Sequence, residues 1–174
     1  MRKENLAFID LELTGLSPLK HEIIELGVVI ASPALRVIEE FEFKIKPENL
    51  ESADPVSLKV SNYNEEDWRG AVPLREALEI LNAKTEGCLM VAHNVAFDFL
   101  FLETAFARLG MKSAMHYHKL DTMSIAWAKL HREPIEHFSL RELCERFSVE
   151  NPRAHTALSD ARATYELYKK LLAI

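Results

Sequence analysis

The run LAFIDLEL constrains this chain most, because it threads carboxylates into what otherwise reads as a buried strand. Side chains of a strand alternate between its two faces, so Leu6, Phe8, Asp10 and Glu12 share one face and Ala7, Ile9 and Leu11 the other. With a rise of ~3.3 Å per residue, Asp10 and Glu12 stand roughly 6.6 Å apart and point the same way. An uncompensated carboxylate on such a face is costly, or takes up a proton until it is neutral. Asp98 in HNVAFDFLFL and Asp160 in RAHTALSDA pose the same problem at the edges of helical core stripes. A divalent cation is the cheapest partner that several converging acids can share, so the pattern points to metal-dependent chemistry.

A length of 174 residues suits one domain with a full core, and residues 1–174 are read as such. No apolar run approaches the ~18–20 residues of a membrane span, and the N-terminus lacks the features of a secretory signal. Cys88 and Cys144 sit in apolar contexts without ligand spacing, which reads as buried free thiols in a reducing cytoplasm. The net charge of −6 argues against a tight grip on a long duplex. Its distribution is uneven: residues 1–118 hold 12 Lys/Arg against 19 Asp/Glu, while residues 119–174 hold 9 against 8. Metal bound at the four acids leaves phosphate binding open to a negative protein.

After the turn TGLSPLKH, the runs EIIELGVVIAS and RVIEEFEFKIK read as a hairpin beside the first strand. The polar stretch from Pro47 to Pro73 is a long connection with one short helix near VSLKV. Helical periodicity returns at 74–83, CLMVAH reads as a buried strand, and a helix over 97–109 stops at Gly110. HYHKLDT suggests a last short strand. Helices follow at SIAWAKLH, at SLRELCERF with Ser139 as cap and Glu142 three residues on, and at TALSDARATYELYKKLLA. A meander followed by alternating strands and helices implies an α/β fold: a mixed sheet flanked by helices.

Individually the remaining polar residues have ordinary readings. Asp98 shares a stripe with Leu102, Ala105 and Leu109, and an acid in a first helical turn is favoured by the macrodipole alone. His155 and Asp160 lie about 140° apart if both are helical, so Thr156 is read as the N-cap, with His155 on the preceding loop. Asp160 then borders the stripe Ala157, Ala161, Tyr165, Tyr168, Leu172. Asp121 reads as a helix cap, Asn94 as the shaper of a tight strand-to-helix turn, and His93 as a satisfied core residue. Phe97, Phe99, Phe101 and Phe106 read as core.

The ordered set is more specific than any member. FIDLELTGL, HNVAFD, LDT and HTALSDA resemble, in order and over nearly the whole chain, the DEDDh exonucleases. That group includes RNase T, oligoribonuclease and the proofreading subunits of bacterial replicases. The resemblance implies a ribonuclease H-like fold with a five-stranded mixed sheet. It implies that Asp10, Glu12, Asp98 and Asp160 hold two Mg²⁺ or Mn²⁺ ions, Asp10 between them, and that His155 is the general base. The implied reaction is phosphodiester hydrolysis at the 3′ end of single-stranded DNA or RNA, releasing nucleoside 5′-monophosphates. Leu13, Thr14, Gly15, Leu16 and Asn94 are then the substrate-binding residues: the Leu13 and Thr14 backbone toward the 3′-hydroxyl, Leu16 as a wedge between bases, Gly15 for the close turn. Leu13 stands where the family often has a small polar residue.

Two other readings compete. A non-catalytic nucleic-acid adaptor of the same fold would not need the full set of acids and histidine. A metal-dependent phosphatase on small phosphoesters would not need a 3′-end pocket. With 14 residues after Asp160, the expectation is stand-alone trimming rather than replicative proofreading, with a polymerase partner and a homodimer both compatible.

Overall fold

The computed structural model describes residues 3–174. Its sheet has the order β3-β2-β1-β4-β5. Strands β1 (Leu6–Leu13), β2 (Ile23–Ala31) and β3 (Val37–Lys44) form an antiparallel meander, while β4 (Leu89–Ala92) and β5 (Lys119–Asp121) run parallel to β1. The helices are α1 (Pro55–Val60), α2 (Leu74–Thr85), α3 (Val95–Arg108), α4 (Thr122–Leu130), α5 (Leu140–Phe147) and α6 (Ala157–Leu172). None is long and apolar enough to cross a membrane.

Alternation in β1 sorts the two cores. Ala7, Ile9, Leu11 and Leu13 join Leu78, Leu81, Phe101, Leu102 and Phe106 of α2 and α3. Leu6 and Phe8 face Leu158, Ala161, Tyr165 and Tyr168 of α6, and Phe8 meets both tyrosine rings edge-on at 5.2 and 5.5 Å. Interior strand β2 is buried along its whole length, as expected of a strand covered on both faces. Helix α6 has a second apolar side, where Leu167 and Leu171 pack with Ala126, Leu130 and Leu143 of α4 and α5. The buried stripe therefore ends at Leu171, and Leu172 is exposed, contrary to the sequence expectation.

Local corrections have clear causes. Helix α3 begins at Val95, two residues early, because Asn94 adopts a left-handed turn (φ 66°) and the Asp121 carboxylate accepts its N–H at 2.8 Å. Asp121 also caps α4 through Met123 and Ser124, as anticipated. Ser139 caps α5, but Glu142 accepts from the His137 N–H instead of closing a reciprocal box. The long connection is not loose: Asp54 caps α1 and donates its N–H to the Thr14 carbonyl at 2.7 Å. Beyond α1, buried Trp68 donates its indole N–H to the Ile24 carbonyl at 2.9 Å.

Gly27 decides where α6 can sit. A Cβ built there would lie 2.1 Å from the Ala157 carbonyl carbon and 2.2 Å from the Leu158 nitrogen. Backbone cannot yield like a side-chain tip, so the first turn of α6 lies in a hollow that only glycine leaves open. Gly27→Ala should displace this turn and destabilise the protein by about 1–3 kcal/mol, the usual penalty of overpacking. Urea unfolding measures this, and a variant as stable as the parent would refute the close seating.

Candidate active site

The C-terminal ends of β1, β4 and β5 lie together in the sheet, and the chain leaves β4 and β5 directly into the N-termini of α3 and α4. Asp10 and Glu12 occupy the end of β1, opposite Gly27 and Glu25 of β2, with a bulge after Glu12. Asp98 lies in the first turn of α3. Asp160 arrives from the first turn of α6. Glu12, Asp98 and Asp160 are buried and Asp10 is half-buried.

Their proximity shows in their proton affinities. Burial, then repulsion from Asp98, Asp160, Glu12 and Glu25, holds the Asp10 carboxyl well above its ordinary range. Burial, then Asp160, Glu25 and Asp98, pushes Glu12 up to about 8. Burial raises Asp98 to about 7 against the N–H groups of its own residue and Leu11, with Asp121 adding repulsion. Among the described residues no lysine or arginine forms an ion pair with any of the four acids. Hard oxygen donors crowded without a counter-charge fit a hard divalent cation.

Asp160 is held from both sides. Asn151 donates to Oδ1 at 2.5 Å and the His155 N–H to Oδ2 at 3.0 Å. Asn151 also accepts from the Ser159 hydroxyl at 2.6 Å. His155 is exposed, with φ of 66°, on the loop before α6. Donor atoms of Glu12, His155 and Asp160 all lie within 4.8 Å of one another, close enough to share an ion. That trio substitutes an imidazole for Asp10 and Asp98 of the expected all-oxygen set.

The residues expected to touch substrate divide. Leu16 is 72% exposed, whereas Leu13 lies in the core and pairs with Ile23. Thr14 is fully buried: its N–H donates to the Glu22 carbonyl, its hydroxyl oxygen accepts the Glu22 N–H, and its carbonyl accepts from Asp54. Its backbone is thus engaged inside the fold. Gly15 rides on the His21 ring, which a Cβ would meet at 2.4 Å. Asn94 shapes its turn as expected, and His93 bridges Thr122 Oγ1 and the Phe138 carbonyl, its proton affinity lowered by burial.

Three residues escaped the sequence reading. Glu25, 3% exposed, accepts the Ala157 N–H at 3.1 Å and so caps α6. Thr156 makes no side-chain cap; its hydroxyl donates to the Arg153 carbonyl instead. Burial raises Glu25, while the Ala157 N–H opposes that rise. A lone acid in an apolar strand and a mid-strand glycine were the available signals for Glu25 and Gly27. Asn151 had none.

Comparison with known proteins agrees with this architecture. The RNase_T family model, described as an exonuclease, matches residues 7–168. The DNA polymerase III PolC-type of Caldanaerobacter subterraneus subsp. tengcongensis is 30% identical over 166 residues, 94% of this chain and 11% of that protein. The PolC-type polymerase of Listeria innocua is 31% identical over 166 residues, with the same coverages. The chain thus spans about a tenth of the length of these relatives. The structure of E. coli exonuclease I with a dT13 oligonucleotide superposes with a TM-score of 0.82 at 19% identity, covering 98% of this chain and 41% of that one. The zinc-bound form of the exonuclease I–ssDNA complex gives 0.84 at 18% identity, covering 99% and 41%. The fold is the ribonuclease H-like α/β arrangement.

The raised carboxyls set the pH response of the ion-free protein. A folded chain that holds protons the unfolded chain releases loses stability as pH rises between the two pKa values. For Glu12 that window runs from 4.5 to about 8 and for Asp98 from 3.8 to about 7. The ion-free melting temperature should fall from about pH 5 to about pH 8, and Mg²⁺ or Mn²⁺ should restore more at the upper end, where the ligands are ionised. A melting temperature that rises across the window and ignores the ions would contradict this.

Proposed function

We propose that this chain, which belongs to the RNase_T exonuclease family, hydrolyses single-stranded nucleic acid from its 3′ end and releases nucleoside 5′-monophosphates. The observation that carries the reading is the convergence of four carboxylates from β1, α3 and α6, without an ion-paired Lys or Arg among the described residues, beside an exposed histidine. Asp10, Glu12, Asp98 and Asp160 would hold two Mg²⁺ or Mn²⁺ ions. When bound, such ions supply the positive charge that acidifies a water and steadies the oxygen leaving from phosphorus.

The chain's own residues supply position and a proton acceptor. Asp160, tethered by Asn151, fixes the His155 backbone, so the imidazole is held at the edge of the acid cluster and open to solvent. His155 takes the proton of the attacking water. Water oxygen bonds to phosphorus as the bond from phosphorus to the 3′-oxygen of the preceding nucleotide breaks. Leu16, exposed on the loop after β1, reaches the terminal bases. Stand-alone trimming and proofreading within a polymerase consume the same 3′ end, so both roles fit this chemistry.

Purified protein, Mn²⁺ and 5′-labelled single strands of DNA and RNA test the reading. The expected result is a ladder that shortens from the 3′ end. Cleavage of a generic phosphomonoester alone would favour the phosphatase, and binding without cleavage the adaptor.

Two variants separate the roles. Asp10→Ala should abolish hydrolysis and most of the metal response, yet leave the ion-free fold as stable or more so, because one repelling charge is gone. His155→Ala should lower kcat by roughly 10²–10⁴-fold while calorimetric Mn²⁺ binding is retained. Lost metal binding with normal turnover would overturn the assigned roles.

A further inference from the structure

Away from the acid cluster, a groove of about 510 Å³ runs between α3 and the segment entering β5. Its floor is apolar, with Leu102 and Phe106 buried. Its rims carry rings: Phe99 on the helix side, His116 and Tyr117 on the other. Tyr117 is 74% exposed and contacts two neighbours, His116 at 4.6 Å and nearly parallel, and His118 at 4.0 Å and tilted. A second cleft of about 480 Å³ is lined by the same tyrosine together with His116 and His118. Single exposed apolar residues are unremarkable, but a row of three adjoining rings bordered by two clefts is not explained by packing.

Charge follows the rings. The Lys119 ammonium lies 3.9 Å from the Phe99 ring centroid and donates to the Tyr117 carbonyl at 2.9 Å, which fixes a cation within the groove. Lys112 lies farther along, and Glu103 is the acid on the wall. Residues 112–119, KSAMHYHK, hold two lysines, two histidines and no acid in a chain of net charge −6. The groove starts one residue beyond the site along α3. Phe99 follows Asp98 directly, and the wall continues along α3 to Ala107, about 12 Å at the helical rise.

We propose that this groove is the track for the unpaired strand upstream of the 3′ end, with Tyr117 as a base-stacking platform and Lys119 and Lys112 facing phosphates. The proposal rests on the exonuclease reading, since it takes the strand end to lie at Asp98. Exposed rings with interleaved cations are the chemistry that single-stranded nucleic acid uses, largely without regard to sequence. An apolar peptide would use the floor but would gain nothing from an ammonium held among the rings.

Binding and cleavage are measured separately. Anisotropy of 5′-fluorescein strands of three and twelve nucleotides is read in an Asp10→Asn background, so that the strands stay intact. Tyr117→Ala and Lys119→Gln should each weaken the twelve-nucleotide strand by about fivefold or more. Both should leave trinucleotide binding, trinucleotide hydrolysis in the otherwise native chain, and the melting temperature unchanged. The groove assignment is overturned if the variants bind the long strand like the parent, if both lengths weaken equally, or if the parent gains no affinity with length. A native chain that cuts no strand would instead overturn the exonuclease reading, and the length dependence of binding would still decide the groove.

Discussion

Burial of converging carboxylates, with their mutual repulsion added to it, is the constraint around which this molecule is organised. Asp10, Glu12, Asp98 and Asp160 crowd together, and Glu25 adds a fifth acid directly across from Glu12. Left ion-free, such a cluster keeps protons that free carboxyls would have released, as the raised Glu12 and Asp98 show. What holds the acids in place is apolar packing on both sheet faces: Phe8 against Tyr165 and Tyr168 on one, Ile9 and Leu11 against α3 on the other. The site is destabilising by itself, and the cores around it supply the compensation.

The seating of α6 converts that crowding into a defined arrangement. Gly27 leaves the hollow and Glu25 holds the Ala157 N–H, so the first turn of α6 is anchored to β2 at two adjacent positions of one face. Asp160 and the His155 loop follow from that anchor, with Asn151 and the His155 N–H filling both oxygens of Asp160. His155 itself stays on an exposed loop in a left-handed backbone conformation, the kind of segment from which moving functional residues are drawn. A separate cation lies along the groove beside α3, where the Lys119 ammonium sits over the Phe99 ring.

Much of this was legible in local pattern. The alternation of LAFIDLEL assigned each β1 residue to its core, and the hairpin, α3 and the capping by Asp121 followed from turn and cap chemistry. The ordered motifs picked out Asp10, Glu12, Asp98, His155 and Asp160, although Asp98 and His155 taken singly had ordinary explanations. The errors have one origin. Thr156 looked like a cap because Thr commonly is, but Glu25, 132 positions before Ala157, occupies that role. Leu172 looked buried because its spacing continued the stripe, but a second apolar side facing α4 and α5 rotates the buried end to Leu171.

Sequence by itself determined which side chains share a face, which residues cap a neighbouring helix, and which ordered set of acids and histidine the chain carries. These depend on chain periodicity and local hydrogen bonding, which act over a few residues. Only the tertiary structure decided that Glu25 stands opposite Glu12, that α6 settles on Gly27, that the Thr14 backbone is engaged within the fold, and that Phe99 and Lys119 meet in one groove. Each of those depends on strand register or on close approach between distant segments. No local periodicity encodes a contact whose geometry is set by how whole elements pack.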